Sequence, residues 1–431
     1  MNPALSLCHK EQRKGRVKQK IGILSLGCPR NLVDAETIAG RLKLKDFSIT
    51  QELSGADIVL VNTCAFIQEA KQESIEAILE LIELKKQGKL KKIIVYGCLP
   101  QRYKDLAKQL PEVDAFVGRL GLDRETDRYP LTPRHYAYLK ICEGCVNRCS
   151  YCAIPGIKGP LESQDEASLL RKVRGFNREK ISELNIIGQD ITGFGMDRSS
   201  GSRLPGLLRG IISNAPDIGW IRLLYLNPQR VSDELLELIA GSAQVCKYID
   251  LPIQHINSRL LKAMNRRITG EKIAALIRKI RKAIPGVYLR TALIVGFPSE
   301  TEKEFGELLE FIQEVKFERL GAFIYSREEG TPAYAFKGQI PRAKKQERFD
   351  RIMTLQRQIA SEVNSRFMGK EIKVLVEEKQ SGGYVGRSQG DAPEVDGVVY
   401  INTQKPLKAG KFVQVKITDT LEYDLVGVPK L

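Results

Sequence analysis

Closely spaced cysteines occur in the segment Lys140-Ile141-Cys142-Glu143-Gly144-Cys145-Val146-Asn147-Arg148-Cys149-Ser150-Tyr151-Cys152. Cys145, Cys149 and Cys152 form a C-x3-C-x2-C array. Three thiolates this close together can hold one 4Fe-4S cluster and leave its fourth iron without a protein ligand. An iron held open in this way can bind a small molecule and pass on electrons, so the array predicts a reactive cluster.

A zinc site is a second interpretation of the same segment. Cys142 and Cys145 form one C-x2-C pair, and Cys149 and Cys152 form another. Zinc ribbons and fingers usually separate their two halves by more than three residues, and no histidine lies nearby. The spacing therefore favours the cluster over zinc.

The cysteine array follows an apolar, strand-like segment, residues 137–141, which is the first of six. The other five lie at residues 184–187, 220–224, 248–251, 287–295 and 320–323. Strands that alternate with helices through residues 136–325 predict a partial (β/α)6 barrel. The active site of such a barrel lies at the carboxyl ends of its strands, which is where the array would then lie.

Residues 20–128 predict an α/β domain built on a parallel sheet. Short apolar runs rich in β-branched residues occur at 21–26, 57–61 and 92–96, and such runs suit strands that are covered on both faces. Residues 66–88 have helical spacing. We expect the apolar residues Ile75, Ile78, Leu79 and Ile82 to form one stripe of that helix.

One cysteine follows each of these three strands, namely Cys28, Cys64 and Cys98. In open α/β sheets, ligand sites gather beyond the carboxyl ends of the strands. A single such cysteine would be explained more simply as a small buried hydrophobic residue. Three at matching positions indicate a shared site, and we infer a second 4Fe-4S cluster, again with one open iron.

The last part of the chain predicts a helix followed by a small domain. Residues 333–368 predict a long, polar and basic linker helix, which Gly369 ends. Residues 369–431 alternate apolar and polar positions between glycines, as expected for a small antiparallel β-barrel.

Composition describes a globular protein with an excess of positive charge. The 431 residues are 42% hydrophobic and 28% charged, with a net charge of +16. This charge indicates an anionic partner such as RNA, or a solubilising surface. Residues 1–20 contain six Lys/Arg and one Glu, and we expect residues 1–19 to be a disordered tail. Residues 370–431 contain nine Lys/Arg and nine Asp/Glu, so a polyanion-binding surface would be built before residue 370.

Sequence features predict a cytoplasmic protein. No apolar run approaches the length of a membrane span, and the first residues turn basic too early for a signal peptide. In a reducing compartment, nine cysteines are better explained as metal ligands than as disulfides. The three histidines, His9, His135 and His255, form no recognisable triad or metal motif.

Taken together, two cysteine triads, an α/β domain, a partial barrel and a terminal β-barrel resemble the methylthiotransferases of the radical S-adenosylmethionine superfamily. The resemblance starts at about residue 20, and the terminal barrel resembles their TRAM domain. Residues 25–34, 325–331 and 386–397 resemble one branch, the ribosomal protein S-twelve methylthiotransferases. The sister enzymes that act on tRNA adenosine usually have a basic strand where this chain has the acidic residues 391–396.

This resemblance implies two cluster sites and a cofactor. It implies that Cys145, Cys149 and Cys152 hold the radical-generating cluster, and that Cys28, Cys64 and Cys98 hold an auxiliary one. It also implies contacts to S-adenosylmethionine from Tyr151, Gly188, Gln189 and Gly296. Cys8, Cys142 and Cys246 have no partners in this scheme and are interpreted as non-ligands.

The function implied is transfer of a methylthio group to the β-carbon of an aspartate in ribosomal protein S-twelve, either free or on the ribosome. One S-adenosylmethionine would donate the methyl group, and a second would yield the radical that abstracts hydrogen. A reductant protein such as flavodoxin or ferredoxin is implied as a partner. The alternatives are a tRNA adenosine methylthiotransferase, supported by the net charge, and an electron-transfer or RNA-binding protein without transferase activity.

An acidic loop in the terminal barrel contains Asp391, Glu394 and Asp396. Its carboxylates would repel phosphate, and one interpretation makes the loop a docking surface for a basic protein. In the other interpretation, these carboxylates only solvate a turn around Pro393 and Gly397. The sequence leaves both open.

Overall fold

The computed structural model of the chain describes residues 19–45, 47–119, 121 and 128–430. The first strands form a parallel sheet in the order β2-β1-β3-β4-β5. Their bounds are Lys20–Ser25 (β1), Ser48–Thr50 (β2), Ile58–Thr63 (β3), Lys92–Gly97 (β4) and Ala115–Val117 (β5). Strand β3 is buried along its whole length, as expected when both faces of a parallel sheet are covered.

Helices cover the two faces of this sheet and form two separate cores. The helices are Pro29–Lys43 (α1), Gln68–Lys86 (α2), Cys98–Arg102 (α3) and Leu106–Gln109 (α4). Ile58 of β3 packs in the core that contains Leu42 of α1, and Val59 packs in the core that contains Ile78 of α2. The prediction of an apolar stripe on α2 is wrong for Leu79, which is 46% exposed. Leu81 is buried on α2 instead.

Six parallel strands form the central partial barrel, which confirms the predicted fold class. They are Tyr136–Lys140 (β6), Glu183–Ile187 (β9), Trp220–Leu223 (β10), Tyr248–Asp250 (β11), Tyr288–Val295 (β12) and Arg319–Ile324 (β13). They form two three-stranded sheets, β10-β9-β6 and β11-β12-β13. A parallel bridge from Ile221 to Val245 links the two halves of the barrel. Two short strands in the cysteine loop, Cys142–Glu143 (β7) and Glu162–Ser163 (β8), pair with each other.

Helices alternate with the barrel strands. They are Ile154–Lys158 (α5), Glu166–Arg178 (α6), Leu204–Asn214 (α7), Asp233–Gly241 (α8), Ser258–Ala263 (α9), Gly270–Ala283 (α10) and Glu302–Val315 (α11). Short 3-10 turns lie at Ile191–Gly193, Pro228–Arg230 and Pro332–Ala335. Helix α11 begins with a reciprocal capping box between Thr301 and Glu304. Such a box satisfies amide groups that would otherwise lack partners at the start of the helix.

The linker helix is shorter than predicted. It spans Arg342–Ser365 (α12), whereas the sequence predicted a helix over residues 333–368. Pro341 is its N-cap residue, and Pro332–Ala335 form the separate 3-10 turn. Because proline restricts the residue before it to extended conformations, the helix cannot extend upstream through Pro341.

Five strands form a closed barrel at the end of the chain, in the order β14-β15-β16-β18-β17. They are Glu371–Gln380 (β14), Gly383–Ser388 (β15), Val399–Asn402 (β16), Phe412–Thr420 (β17) and Leu425–Pro429 (β18). Four pairings are antiparallel, and β16 pairs with β18 in parallel. Because the barrel is closed, each of these five strands pairs with a neighbour on both sides and none forms a free sheet edge.

Buried ion pairs join the closed barrel to the central barrel. Arg387 donates to Glu183 at 2.5 Å, and Glu183 also accepts from Arg222 at 2.8 Å. The side chains of all three residues are at most 2% exposed. Removing one partner from such a group leaves an unpaired buried charge, which costs about 3–5 kcal/mol.

Two of the three carboxylates of the acidic loop face inward, so neither interpretation that the sequence left open, a docking surface or a solvated turn, describes Asp391 and Asp396. Asp391 pairs with Arg319 at 2.5 Å, and its side chain is 2% exposed. Asp396 accepts from the Tyr248 hydroxyl at 2.6 Å and is 3% exposed. Glu394 remains exposed and accepts from Tyr136. The acidic composition of the loop indicated a solvent-facing position. In the structure, Asp391 and Asp396 instead neutralise Arg319 and Arg290 of the central barrel.

Residues 1–19 were predicted to form a disordered tail, and they lie outside the described residues except for Gln19. Among the helices of the described ranges, none has both the length and the apolar character that a membrane crossing requires.

Replacement of Asp391 by Ala is expected to lower the free energy of unfolding by about 3–5 kcal/mol, because Arg319 would stay buried without its partner. Chemical denaturation measures this change. Glu378→Ala is the matched control in the same barrel, and its effect is expected to stay within about 0.5 kcal/mol because Glu378 is exposed and its hydrogen bond to Gln380 is exposed as well. Equal stabilities of the two variants would contradict the role given to the inward-facing carboxylates.

Candidate functional site

The cysteines of the first triad lie where three neighbouring strands end. Cys28 precedes α1, Cys64 follows β3, and Cys98 is the first residue of α3, directly after β4. Gly27 has a φ of +85°, and a Cβ on it would lie 3.0 Å from the Cys64 sulfur. The loops that carry Cys28 and Cys64 are therefore in direct contact. The charges of Cys28 and Cys64 both act on the pKa of Cys98, as expected for neighbouring thiols.

Asn31 ties these three strand ends together, and sequence reasoning missed it. Its side-chain amide donates to the carbonyls of Leu26 (2.9 Å) and Thr63 (3.2 Å). Its Oδ1 lies 3.8 Å from the sulfur of Cys98. Asn31 is 1% exposed, so these contacts form without competition from water. A polar residue in the first turn of a helix that follows a strand-end cysteine was the available signal.

Ser74 fixes the second of the three loops. Its hydroxyl accepts from the Cys64 amide at 3.0 Å and donates to the Cys64 carbonyl at 2.8 Å. Both polar backbone groups of Cys64 are thereby satisfied inside the protein. The side chain of Cys64 remains available on the side that faces Cys28.

Positive charge surrounds the first triad. Burial alone would raise the pKa of Cys28, but Arg30, the Asn31 amide and Lys158 outweigh it, and the pKa of this thiol is lowered. Burial raises the pKa of Cys98 to about 12, although the charge of Lys158 opposes that shift. A low thiol pKa favours the thiolate, which is the form that binds metal. Cys28 is therefore the thiol of this triad best prepared for a metal.

The second triad lies in the loop after β6, at the carboxyl end of the first barrel strand. Gly144 begins the turn with a φ of +70°, and a Cβ there would lie 1.9 Å from the Pro160 carbonyl oxygen. Asn147 donates to the Cys145 sulfur from its backbone amide (3.4 Å) and from its side chain (3.3 Å). Donors aimed at sulfur stabilise a bound thiolate.

Polar anchors hold both halves of this loop against the barrel. Asp190 accepts from the Asn147 side chain at 2.7 Å and is paired with Arg230. Ser150, between the last two cysteines, donates its hydroxyl to the Ala263 carbonyl at 2.8 Å. Its carbonyl accepts from the Ala333 amide at 2.8 Å. The loop is therefore fixed against the barrel at several points.

Arg30 lies beside the first triad and reaches the barrel. It donates to the Gly188 carbonyl at 2.8 Å, and its guanidinium lies over the ring of Tyr225 at 4.5 Å. A hydrogen bond to Cys28 and the charge of that thiolate both raise its pKa, against burial, which lowers it. In the second triad, burial raises the pKa of Cys152 to about 12. The Arg30 guanidinium therefore acts on the thiol of Cys28 and is held at the end of β9 by its hydrogen bond to Gly188.

A buried cluster of charges lies beside Arg30, at the junction of the α/β domain and the barrel. Lys140 pairs with Asp34 of α1 and donates to Glu143 at 2.6 Å. The Lys158 ammonium lies 3.5 Å from Asp34 and 3.4 Å from Glu143. Burial would raise the pKa of Glu143, but the charges of Lys140 and Lys158 outweigh burial and lower it. These pairs bind α1, and with it Cys28, to the loop of the second triad.

The residues predicted to contact S-adenosylmethionine lie at carboxyl ends of barrel strands or beside them. Gly188 and Gln189 follow β9, and Gly296 follows β12. Tyr151 packs against the apolar cluster of Phe297 and Tyr325. The Gly296 amide already donates to Glu300 at 2.5 Å. The contacts themselves stay predictions.

Gln189 offers an observation that fits an amine ligand. Its side-chain nitrogen donates to Glu143 at 2.7 Å. Its Oε1 is buried and has no hydrogen-bond partner among the described residues. An unpaired buried acceptor costs about 1–3 kcal/mol, and an ammonium group of a ligand would satisfy it. The methionine part of S-adenosylmethionine carries such a group.

The remaining described cysteines are Cys142, at the start of the cysteine loop, and Cys246, in the barrel core. Cys142 is fully buried on β7, and its sulfur lies 3.9 Å from the Asp190 carbonyl oxygen. Cys246 is 2% exposed in the core between the barrel and the terminal domain. Their interpretation as non-ligands stays a prediction, and Cys8 lies outside the described residues. Within the described ranges, no three His, Cys, Asp or Glu side chains form a group that could hold a metal ion.

The donor set fits the cluster interpretation. Each triad supplies three thiols from loops whose backbones are held by hydrogen bonds, and three thiols leave one iron of a 4Fe-4S cluster open. A four-iron cluster is larger than a single metal ion, so the thiolates that bind it lie further apart than the ligands of one ion do. That the six cysteines are its ligands stays a prediction.

Three known families match successive parts of the chain. The Uncharacterized protein family UPF0004 matches residues 20–118, the Radical SAM superfamily matches residues 139–312, and the TRAM domain matches residues 368–429. The chain is also similar in fold to the radical S-adenosylmethionine methyltransferase TsrM from Kitasatospora setae. The TM-score is 0.54 at 15% identity, over 82% of this chain and 79% of that one.

Three relatives that match this chain over nearly their whole length have the same name. A protein of Desulforamulus reducens named ribosomal protein uS12 methylthiotransferase RimO is 45% identical, over 94% of this chain and 98% of its own length. Its namesake from Geotalea uraniireducens is 42% identical, over 95% and 98%. One from Syntrophotalea carbinolica is 44% identical, over 95% and 96%.

Replacement of Asn31 by Ala is expected to loosen the three strand ends and to lower the iron content of the first triad. The change leaves buried carbonyls of Leu26 and Thr63 without donors, at a cost of about 1–3 kcal/mol. Iron and sulfide quantitation on anaerobically purified protein measures the loss. Asn177→Ala is the matched control, because Asn177 makes an exposed hydrogen bond to Asp217. Full iron content in Asn31→Ala would show that the loops hold the cysteines without Asn31.

Proposed function

This chain belongs to the RimO family of ribosomal protein uS12 methylthiotransferases, and we propose that it adds a methylthio group to the β-carbon of an aspartate in that ribosomal protein. The observation that carries the proposal is the presence of two cysteine triads, one at strand ends of the α/β domain and one in the loop after β6, in a chain that matches these relatives over nearly its whole length. The reaction needs two separate tasks, delivery of a methylthio group and removal of a hydrogen atom. Two triads supply one site for each task.

The substrate carbon explains why the enzyme needs cofactors. Its C–H bond is unactivated, so no side-chain base could remove a proton from it at neutral pH. S-adenosylmethionine and 4Fe-4S clusters, when bound, supply the radical chemistry and the methyl group. The protein holds, orients and shields these groups.

The side chains around the site have definable tasks in this proposal. Cys145, Cys149 and Cys152 hold the radical-generating cluster, and Cys28, Cys64 and Cys98 hold the auxiliary cluster. Arg30 and Lys158 offset the negative charge that thiolates bring into a buried site. Without such cations, transfer of several thiolates into the protein interior would be strongly unfavourable.

The charge cluster at the domain junction sets the distance between the two triads. Lys140, Lys158, Asp34 and Glu143 are held by mutual pairing across the junction. Because a methylthio group must pass from one site to a carbon radical made at the other, the two sites have to stay in register. A rigid, buried junction provides that register and excludes water from it.

For the cofactor, the residues proposed as contacts are Tyr151, Gly188, Gln189 and Gly296. Gln189 is the best supported, because its unpaired Oε1 suits an ammonium group. A reductant protein such as flavodoxin or ferredoxin is proposed as the electron source. Since the substrate is a ribosomal protein, we expect the reaction to take place in the cytoplasm.

Mass spectrometry of ribosomal protein uS12 tests the proposal. In a strain that lacks this chain, the protein is expected to lose the mass of one methylthio group, and the wild-type chain is expected to restore it. A Cys149→Ala chain serves as the inactive control. Unchanged mass of uS12, together with loss of a methylthio group from tRNA adenosine, would establish the tRNA enzyme instead.

Separate tasks predict separate phenotypes for the two triads. Cys149→Ala is expected to abolish reductive cleavage of S-adenosylmethionine, whereas Cys98→Ala is expected to retain cleavage and lose methylthio transfer. Each variant is expected to keep about half of the iron, because each retains one intact triad. Product analysis by liquid chromatography measures both activities.

Cys246→Ala is the matched control, since Cys246 is buried away from the strand-end loops. This variant is expected to retain both activities. Loss of cleavage in Cys98→Ala, with iron retained, would contradict the division of tasks between the triads.

A further inference from the structure

An open groove of about 1450 Å³ runs between the α/β domain and the barrel. Helix α6 forms one wall, and the segment 128–137 that enters β6 forms another. Among its described lining residues are the cations Arg128, Arg134, Arg171, Lys172, Arg174 and Arg178. The described lining includes only two carboxylates, Glu36 and Glu179, and Glu36 is already paired with Arg128 at 3.2 Å. The groove therefore carries a positive field.

Three of these cations are exposed and have no charged partner. Arg134, Arg171 and Arg178 make no ion pair or side-chain hydrogen bond within the described ranges. Arg174 donates to the neutral amide of Asn214 at 2.8 Å, which leaves its charge uncompensated. Elsewhere on the surface, exposed basic residues commonly pair, as Lys316 does with Glu362.

Helix α6 presents its arginines along one line. Arg171, Arg174 and Arg178 are spaced at i, i+3 and i+7, which places them on the same face of a helix. At 1.5 Å of rise per residue, Arg171 and Arg178 are about 10 Å apart along the helix axis. A row of cations at this spacing can follow a chain of regularly repeated negative charges, such as successive phosphates.

The groove lies close to the cysteine site at the domain junction. A small cavity lined by Asp34, Lys140, Arg128 and Lys172 lies between the groove and the charge cluster at the domain junction. The terminal barrel cannot supply the same field, because residues 370–431 contain equal numbers of basic and acidic residues. The groove thus places part of the chain's excess positive charge beside the reaction site.

We propose that this groove binds the sugar–phosphate backbone of RNA. The choice of RNA over an acidic protein rests on the proposed function, because a ribosomal substrate is surrounded by ribosomal RNA. Contacts to phosphates carry no sequence information but fix position and orientation. In this role the groove holds the enzyme on the ribosomal particle, so that the assembled particle is a better substrate than the free protein.

Binding to a short, labelled single-stranded RNA of mixed sequence tests the groove directly, by fluorescence anisotropy at several salt concentrations. The triple variant Arg134→Glu, Arg171→Glu and Arg178→Glu is expected to raise the Kd at least about tenfold. The slope of log K against log salt concentration is expected to fall by about 2, since each lost phosphate contact removes about 0.7.

A matched control changes three exposed cations of another barrel helix, α10. It carries Lys272→Glu, Arg278→Glu and Lys282→Glu, which make the same change in net charge. This control is expected to keep more of the RNA affinity than the groove variant. Equal loss in the two variants would overturn the proposal, because net charge alone would then explain binding. Displacement of the RNA by poly-glutamate as readily as by competitor RNA would also overturn it, in favour of an acidic protein partner.

A second measurement separates this proposal from the proposed function. Both variants are expected to cleave S-adenosylmethionine and to modify isolated uS12 at the wild-type rate, because none of the changed residues touches the triads. The groove variant alone is expected to modify small ribosomal subunits at least about tenfold more slowly. If the wild-type chain modifies uS12 in neither form, the proposed function fails, while the anisotropy result still decides whether the groove binds RNA.

Discussion

A positive charge has to be buried wherever several thiolates are brought together, and in this protein Arg30 supplies such a charge beside the first triad. Together with the Asn31 amide and Lys158, it outweighs burial and lowers the pKa of Cys28. Because Arg30 belongs to α1 and its hydrogen bond ends on Gly188 after β9, the same contact also joins the α/β domain to the barrel. The neighbouring pairs of Lys140 and Lys158 with Asp34 and Glu143 strengthen that joint. The same charged contacts therefore position the cysteine site and hold the α/β domain against the barrel.

Much of this fold could be predicted from the sequence because it rests on local patterns. Apolar runs predicted three of the five strands of the α/β sheet and all six strands of the central barrel, and alternation predicted the terminal barrel. Tertiary context decided the rest. The helix predicted from residue 333 begins only at Arg342, after Pro341. The sequence left a docking surface and a solvated turn open for the acidic loop, but Asp391 turns inward to pair with Arg319, and Asp396 turns inward to pair with Arg290.

The cysteines of the candidate site could be selected from their spacing, but the residues that support them could not. Asn31 acts through carbonyls of Leu26 and Thr63, and the second of these is distant in sequence. Lys158 reaches Asp34 across the domain junction. Such contacts depend on how two sheets pack, which no local pattern contains. The same packing also creates the basic groove beside α6, because its walls come from both domains.

Mössbauer spectroscopy of the anaerobically reconstituted holoenzyme tests the central claim most directly, because it counts the clusters and distinguishes irons by their ligands. The account predicts two 4Fe-4S clusters, each with one iron that lacks a cysteine ligand, and a change at one such iron when S-adenosylmethionine is added. A single cluster, or two clusters whose irons all have thiolate ligands, would contradict it.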